Sequence, residues 1–331
     1  MKKKYNALVI GCGNIGATVG NYNKAVQPAT HAGAFQKNPK TNLVALVDKD
    51  KKKLATAGKN FPKAKLYTDI DKALKENKID IVSIATPSHM HYNHVLKVAK
   101  YAVPAILSEK PIAYKIKEAE EMIRICKKYN SQLFINHMRH FDPILNKWAK
   151  KVKKNLLGQI FQGNIYYYNG LFNNGTHWLD LMRLFLGDPI SVIGRYNRNT
   201  STNPKDMNVD GTIIFKNDAK ISLQTLSKNY GYFCLKIFGE KGMIDITNLG
   251  FEVQYRKKIN NKNFKGFFEL SEDIVKEGST RSLMISSINH VVSCLDGKTK
   301  PISTGVDGLA VLKILKALEK SAKSGGKEVK V

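Results

Sequence analysis

Three glycines, Gly11, Gly13 and Gly16, follow the apolar run 7–10 at the spacing that brings a polypeptide backbone against a pyrophosphate. Gly11 can make the tight turn, Gly13 carries no side chain to block a phosphate, and Gly16 lets the following helix pack on the strand. Asn14 and Ile15 complete the turn, and a helix opening there would aim its first N–H groups at the anion. A second apolar run, 42–47, ends in Asp48, a carboxylate at a strand's carboxyl end, where it can accept both ribose hydroxyls of an adenosine. Together these residues predict a bound dinucleotide. Asp48 would repel the 2′-phosphate of NADP, so NAD is favoured, although Lys49 beside it could partly neutralise that repulsion.

From Gly16 to Asp48 the chain runs 32 residues, where about 20 are usual. The polar segment 21–28 contains a helix-breaking proline and precedes residues 30–35, which read as helix again. It is expected to be a loop at the cofactor end of the sheet, where insertions commonly touch substrate.

The frame that must position these groups follows from length and composition. A chain of 331 residues exceeds what one core usually organises, so two domains are expected. A hydrophobic share of 43% is globular, and no apolar stretch reaches the roughly 18 residues that a membrane span needs. The start Met-Lys-Lys-Lys before residues 7–12 superficially resembles an export signal, but its apolar part is too short and Asn6 interrupts it. Cys12, Cys126, Cys234 and Cys294 are widely spaced and form no metal or redox pattern, which fits a reducing cytoplasm and no metal site. The formal charge of +27 would ordinarily invite a nucleic-acid reading. Only seven of the 54 basic residues are arginine, however, and arginine is the residue that makes bidentate base contacts. The lysine runs 49–53 and 147–154 are spaced as solvated helix faces. Neither nucleic acid nor a membrane is expected as partner, whereas an anionic small substrate would profit from the field.

Strand and helix alternate through the first third: strand 7–10, a helix from Asn14, strand 43–47, helix 51–59, strand 79–85, helix 94–101 and strand 104–108. This is the βαβ pattern of a doubly wound parallel sheet. One strand runs into Ala85-Thr86-Pro87 with His91 shortly after, and the next runs into Glu109-Lys110-Pro111. With Gly11-Cys-Gly-Asn-Ile-Gly16, these segments in order resemble the glucose-fructose oxidoreductase, inositol dehydrogenase and rhizopine-catabolism (Gfo/Idh/MocA) family of NAD(P)-dependent oxidoreductases. Asn136-His-Met-Arg139-His-Phe141-Asp142-Pro143 looks like the family's Asn-x-x-Arg-x-Phe-Asp-Pro segment. Asn174-Gly-Thr-His177-Trp-Leu-Asp180 looks like its Gly-x-His-x-x-Asp helix start, and residues 303–309 with the helix after them are similar to its closing element. The resemblance covers essentially the whole chain. It implies cofactor contacts at Gly11, Gly13, Asn14, Ile15, Gly16, Asp48, Ala85, Thr86, Pro87, His91, Glu109 and Lys110. It implies substrate contacts at Asn136, Arg139, Tyr168, Asn173 and Asp180, and catalysis by Lys110 and His177.

The chemistry of the last two residues agrees. Lys110 stands at the carboxyl end of a parallel strand, where open α/β sheets place ligands, and partial burial can bring an ammonium toward proton exchange near neutrality. Pro111 fixes the backbone after it and pushes Lys110 toward an extended conformation. His177 opens the apolar helix 178–186, and imidazole is the usual acceptor for the proton that accompanies hydride transfer from a secondary alcohol. The chain departs from its relatives at Asn173, where many carry an Asp paired with this His. An amide can orient an imidazole but cannot stabilise imidazolium as a carboxylate does. Either Lys110 carries more of the proton transfer, or Asp180, one turn beyond His177, or an anionic substrate supplies the charge.

Beyond the first domain, segments 159–168, 190–196, 210–215, 219–225 and 232–238 alternate as half-buried antiparallel strands, with short strands near 243–246 and 251–255 extending them into one large open sheet. The expected architecture is a Rossmann domain over 1–124 and an α/β substrate domain over 125–331, whose final helix, about 305–323, packs back toward the first. An open sheet face predicts a homodimer or homotetramer. Tyr166, Tyr167 and Tyr168 either line a sugar site or serve as core and interface residues. Two functional classes stay open: an NAD-dependent oxidoreductase acting on a ring hydroxyl of a sugar, cyclitol or nucleotide-linked sugar, and a catalytically reduced cofactor-binding or regulatory member supported by Asn173 alone.

Overall fold

The computed structural model describes residues 4–18, 28–229, 231–279 and 281–331. Two compact units emerge, residues 1–141 with 281–312 and residues 142–280 with 313–331.

In chain order the first unit holds β1 (Tyr5–Ile10), α1 (His31–Lys37), β2 (Thr41–Val47), α2 (Lys51–Asn60), β3 (Lys65–Tyr67), α3 (Ile70–Glu76), β4 (Ile81–Ile84), α4 (His91–Ala99), β5 (Ala105–Ser108), α5 (Ile116–Lys128) and β6 (Gln132–Ile135). Its six strands form one parallel sheet in the order β3-β2-β1-β4-β5-β6, the doubly wound arrangement that the sequence predicts. All four residues of β4 and of β5 are buried, as expected of strands covered on both faces. Residues 132–135, which the sequence groups with the second domain, pair with β5 and so extend the first unit's sheet.

The second unit comprises α6 (Pro143–Lys153), β7 (Ile160–Tyr167), α7 (Thr176–Leu186), β8 (Ser191–Tyr196), β9 (Val209–Ile214), β10 (Lys220–Thr225), β11 (Cys234–Gly239), β12 (Gly242–Thr247), β13 (Glu252–Asn260), β14 (Phe268–Leu270) and β15 (Val275–Gly278). After these, α8 (Leu283–Leu295) belongs to the first unit, α9 (Gly305–Lys323) begins in the first and ends in the second, and β16 (Val329–Lys330) joins the second unit's sheet. The sheet order is β14-β13-β12-β11-β7-β10-β9-β8-β16, with β15 on β13. All pairings are antiparallel except β7 with β10. The strand expected near 251–255 runs nine residues, and β14, β15 and β16 are additional to the sequence reading.

Within the described residues the helix expected from Asn14 is a single turn, with the N–H groups of Gly16, Ala17 and Thr18 all donating to the carbonyl of Gly13. His31 N–H donates to Ile15 O at 3.0 Å and Ala32 N–H to Gly16 O at 2.9 Å, a separation of 16 residues where an uninterrupted helix has four. The separation exceeds a helical turn by 12 residues, which accounts for the long interval to Asp48. Most of the loop predicted at 21–28 lies outside the described residues.

Local signals place the other helices. Asp50 caps α2 through the N–H groups of Lys52 and Lys53, and Asp142 caps α6 with Pro143 at its first position. Along α6, Leu145, Trp148, Ala149 and Val152 are buried while Lys147, Lys150, Lys151 and Lys153 face solvent, as the lysine spacing predicts. The helix expected at 94–101 starts three residues earlier.

Candidate active site

Gly11 adopts φ +96°, and a Cβ there would lie 2.7 Å from Ala85 O and 2.9 Å from Thr86 N, so the glycine turn presses against the end of β4. A Cβ on Gly16 would fall on the carbonyl of Gly11. Gly13 is different: a Cβ there would meet nothing within 4 Å, so the protein's own packing does not demand glycine. That open position is the cradle a pyrophosphate would fill, and the residues present fit a dinucleotide.

Over this turn opens a cavity of about 860 Å³, lined by Gly11, Gly13, Asp48, Ala85, Thr86 and Pro87 of the sequence-predicted set, and also by Lys49, Lys53, His89, His94 and Lys97. The volume suits a ligand of dinucleotide class. Asp48 is anchored: Oδ2 accepts from Cys12 N–H at 2.7 Å and Oδ1 from Asp50 N–H at 2.8 Å. Burial first, then the neighbouring His91 and Lys49, pull His94 down to about 4, so it stands in the cavity wall as a neutral imidazole sharing a hydrogen bond with Thr86 Oγ1 at 3.1 Å. Cys12 is fully buried, and burial followed by the charge of Asp48 pushes its thiol up to about 12.

Asn14, Ile15, Gly16, His91, Glu109 and Lys110 of the predicted set are absent from this lining. His91 is fully buried between two backbone carbonyls, Nδ1 at 2.9 Å from Pro111 O and Nε2 at 2.9 Å from Thr86 O, and so pins together the turns that follow β4 and β5. Burial lowers its proton affinity against the pull of those acceptors. Glu109 is buried with Oε1 at 3.0 Å from His31 Nε2 and 2.6 Å from Asn136 Nδ2. Burial would raise its carboxyl, but the hydrogen bond and charge of His31, the charge of Lys110 and the amide of Asn136 outweigh it and hold the group down at about 2. Asn136 is held at both ends of its amide, since its Oδ1 also accepts from Ser287 Oγ at 2.9 Å. Lys110 is half-buried at the carboxyl end of β5. Arg139 lies in a short helical turn, Met138–Phe141, and burial pulls its guanidinium down to about 10, still charged at neutrality.

In the second unit, Gly170 at φ +95° starts a π-helical turn, Leu171–Gly175, which leads directly into α7. Asp206 holds that turn, its two carboxylate oxygens accepting from Phe172 N–H and Asn173 N–H at 2.9 Å each. A Cβ on Gly170 would collide with this carboxylate. Asn173 is exposed, and its Nδ2 donates to Asn169 O at 3.1 Å. His177 and Asp180 are buried near the start of α7, three apart and so on one face. Of the three tyrosines, Tyr167 is core: its hydroxyl donates to Val209 O and accepts from Val209 N–H. Tyr168 stacks on Phe233 at 4.3 Å, and Phe233 stacks on Trp178 at 5.6 Å, beside His177.

The description "Oxidoreductase family, NAD-binding Rossmann fold" matches residues 5–137, and the "GFO/IDH/MocA C-terminal domain" matches residues 152–245. The chain belongs to the Gfo/Idh/MocA oxidoreductase family. Its curated relatives include D-apiose dehydrogenase of Paraburkholderia graminis, 22% identical over 350 residues that cover 98% of this chain and 89% of that protein. Among solved structures, WlbA dehydrogenase from Bordetella pertussis in complex with NADH and UDP-GlcNAcA has a TM-score of 0.80 at 18% identity, covering 100% of this chain and 98% of that one. Levoglucosan dehydrogenase in complex with NADH and levoglucosan has a TM-score of 0.81 at 18% identity, covering 99% of this chain and 100% of that one. These structures share the fold. As a Gfo/Idh/MocA member the chain is an NAD-binding oxidoreductase.

Three residues of this family member escaped the sequence reading. His31 and His94 read only as helix residues, and Asp206 lies in a polar loop with no periodicity. Asp206 stands 33 residues from the Asn173 amide that it caps, and no local pattern marks such a pair.

Proposed function

We propose that this oxidoreductase transfers hydride between a ring hydroxyl of a sugar, cyclitol or nucleotide-linked sugar and NAD, with Lys110 and His177 exchanging the accompanying proton. The observation that carries the reading is the carboxyl edge of the parallel sheet. There the ends of the adjacent strands β1, β4 and β5 bring the glycine cradle, the Ala85-Thr86-Pro87 turn and half-buried Lys110 to one side. Bound NAD supplies the hydride acceptor. The chain's own groups do the rest. Gly13 and its neighbours seat the phosphates, Asp48 takes the ribose hydroxyls with its remaining lone pairs, and Lys110 Nζ and the His177 ring hold or release the hydroxyl proton. The substrate class rests on relatives that bear the names of apiose and levoglucosan dehydrogenases. NAD is preferred to NADP because Asp48 repels a 2′-phosphate, with Lys49 and Lys53 in the same cavity limiting the margin. Asn173, the support for a catalytically reduced member, has a structural partner in Asn169 O. A homodimer or homotetramer in a reducing cytoplasm completes the reading, in keeping with four buried free thiols and exposed Phe161, Phe268 and Val275 on strands of the large sheet.

Screening UDP-, CMP- and free sugars and cyclitols for NADH formation tests this. On the substrate found, Lys110→Met is expected to abolish turnover, and His177→Asn to leave part of it. Wild-type rates in Lys110→Met would overturn the mechanism.

A further inference from the structure

We propose that His31 is a positioning residue for Lys110, acting through a buried chain of side chains, Ser83, His31, Glu109, Asn136 and Ser287, that ties the glycine-turn helix to the Glu109-Lys110-Pro111 turn. The inference deepens the oxidoreductase reading and rests on Lys110 being its proton carrier.

His31 is fully buried, with Nδ1 3.0 Å from Ser83 Oγ on β4 and Nε2 3.0 Å from Glu109 Oε1 after β5. Beyond Glu109 the chain continues through Asn136, after β6, to Ser287 on α8, whose Oγ lies 3.1 Å from Leu283 O. The other carboxylate oxygen, Oε2, lies 3.3 Å from the backbone N–H of Lys110. Partner chemistry dictates the protons. An ionised Glu109 only accepts, so His31 Nε2 carries the hydrogen, and Nδ1 shares a hydrogen bond with the Ser83 hydroxyl. Asn136 donates its amide to Glu109 and accepts from Ser287 through its carbonyl. Each of these contacts is then satisfied around one buried carboxylate.

Mere packing does not call for such a chain. Apolar side chains of the same volume would fill this space without the desolvation cost of a buried carboxylate, so its retention points to a task for that charge. The charge sits one residue from Lys110 and at its backbone N–H. The titratable groups that face it in this unit are His31 from α1, His91 from α4 and Lys110 itself. His31 is in turn fixed by its own backbone, since its N–H and that of Ala32 bond to Ile15 O and Gly16 O of the glycine turn. A shift of the glycine turn is thus passed by the His31 ring to the carboxylate that seats Lys110.

Competitive acetylation of the full-length, NAD-saturated protein with acetic anhydride across pH, read at the Lys110 peptide by mass spectrometry, gives the reactivity of Lys110 without any substrate. Kinetic constants are measured in parallel. In Glu109→Gln the Lys110 labelling midpoint should fall by about one pH unit, because an opposite charge favouring the ammonium is gone. In His31→Leu the labelling rate should change at least about threefold and kcat fall about tenfold or more, with NAD affinity within about threefold, since small misplacements of a reacting group are costly. His31→Gln, which keeps an N–H donor toward Glu109, should recover most of both. If His31→Leu does not fold, Ser83→Ala, which removes only the hydroxyl behind the ring, carries the comparison. Unchanged Lys110 labelling and kcat within twofold in a folded His31→Leu protein would overturn the proposal. So would a loss of NAD affinity that accounts for the whole fall in rate. Altered labelling in a protein that turns over no carbohydrate would support the role of His31 while removing the proposed reaction, and normal turnover with unaltered labelling would do the reverse.

Discussion

Asp48 serves the fold and the ligand with one carboxylate. It closes the glycine turn by accepting Cys12 N–H and starts the segment before α2 by accepting Asp50 N–H, while its remaining lone pairs face the cavity. Asp48→Ala should therefore narrow the NAD-over-NADP gap about tenfold, and should weaken NAD as well, because an amide left without its acceptor costs about 1–3 kcal/mol. Calorimetry with both cofactors checks this, and NADP preferred by the wild-type chain would contradict the role given to Asp48. Glu109 makes the clearest statement about pH. Its carboxyl is held at about 2 against an ordinary value of 4.5, so the folded state binds its proton less readily than the unfolded one. The stability this provides is complete above about pH 4.5 and is lost as pH falls through 2. Glu109→Gln should lower the melting temperature at pH 7 and flatten its decline between pH 4.5 and 2. An acid limb identical to that of the wild type would show that the carboxylate is not held this way.

At the scale of elements, the turn before α7 is built backward from Asp206. Gly170 permits the approach, Asp206 takes two amides of the turn, and Tyr167 fastens the end of β7 to β9 through Val209. Asn173 fits this setting because its amide donates to Asn169 O, which a carboxylate could not do. Asn173→Asp, the acid that the family resemblance implies at this position, therefore places a second carboxylate beside Asp206 without the amide's donor role. The variant should be less stable than the wild type at neutral pH, by about 1 kcal/mol, and regain ground as acid protonates the pair. It should alter the pH profile of turnover more than NAD affinity. Denaturation at pH 5 and pH 8 checks the first part, and equal losses at both would mean that the two carboxylates do not interact.

At the scale of the whole molecule the formal charge is +27, and along α6 the apolar positions are inside and the ammonium groups outside. Lys49, Lys53 and Lys97 differ in lining the cavity, where Asp48, Asp50 and Asp69 balance their charge. A field of this kind attracts polyanions without reading them. Duplex DNA should bind weakly and lose affinity steeply with salt, and sub-micromolar binding at physiological salt would contradict this. Among the described residues no helix is long and apolar enough to cross a membrane.

The amino-acid sequence alone determined whatever is local. The glycine spacing, the acid closing β2, the capped and amphipathic helices and the alternation of strands each follow from neighbours within a few residues, and they specified both the parallel sheet and the family. The tertiary structure alone decided the pairs that close the site. His31 meets Glu109 across 78 positions and Asn136 meets Ser287 across 151, and Asp206 reaches back to the turn before α7. The carbonyls of Ile15 and Gly16 are met by the N–H groups of His31 and Ala32, far along the chain rather than one turn on. Such partners leave no periodicity in the chain, because their meeting depends on which strands become neighbours in the sheet. Strand order is set by packing of the whole core, and only then do polar side chains find the one arrangement that satisfies them.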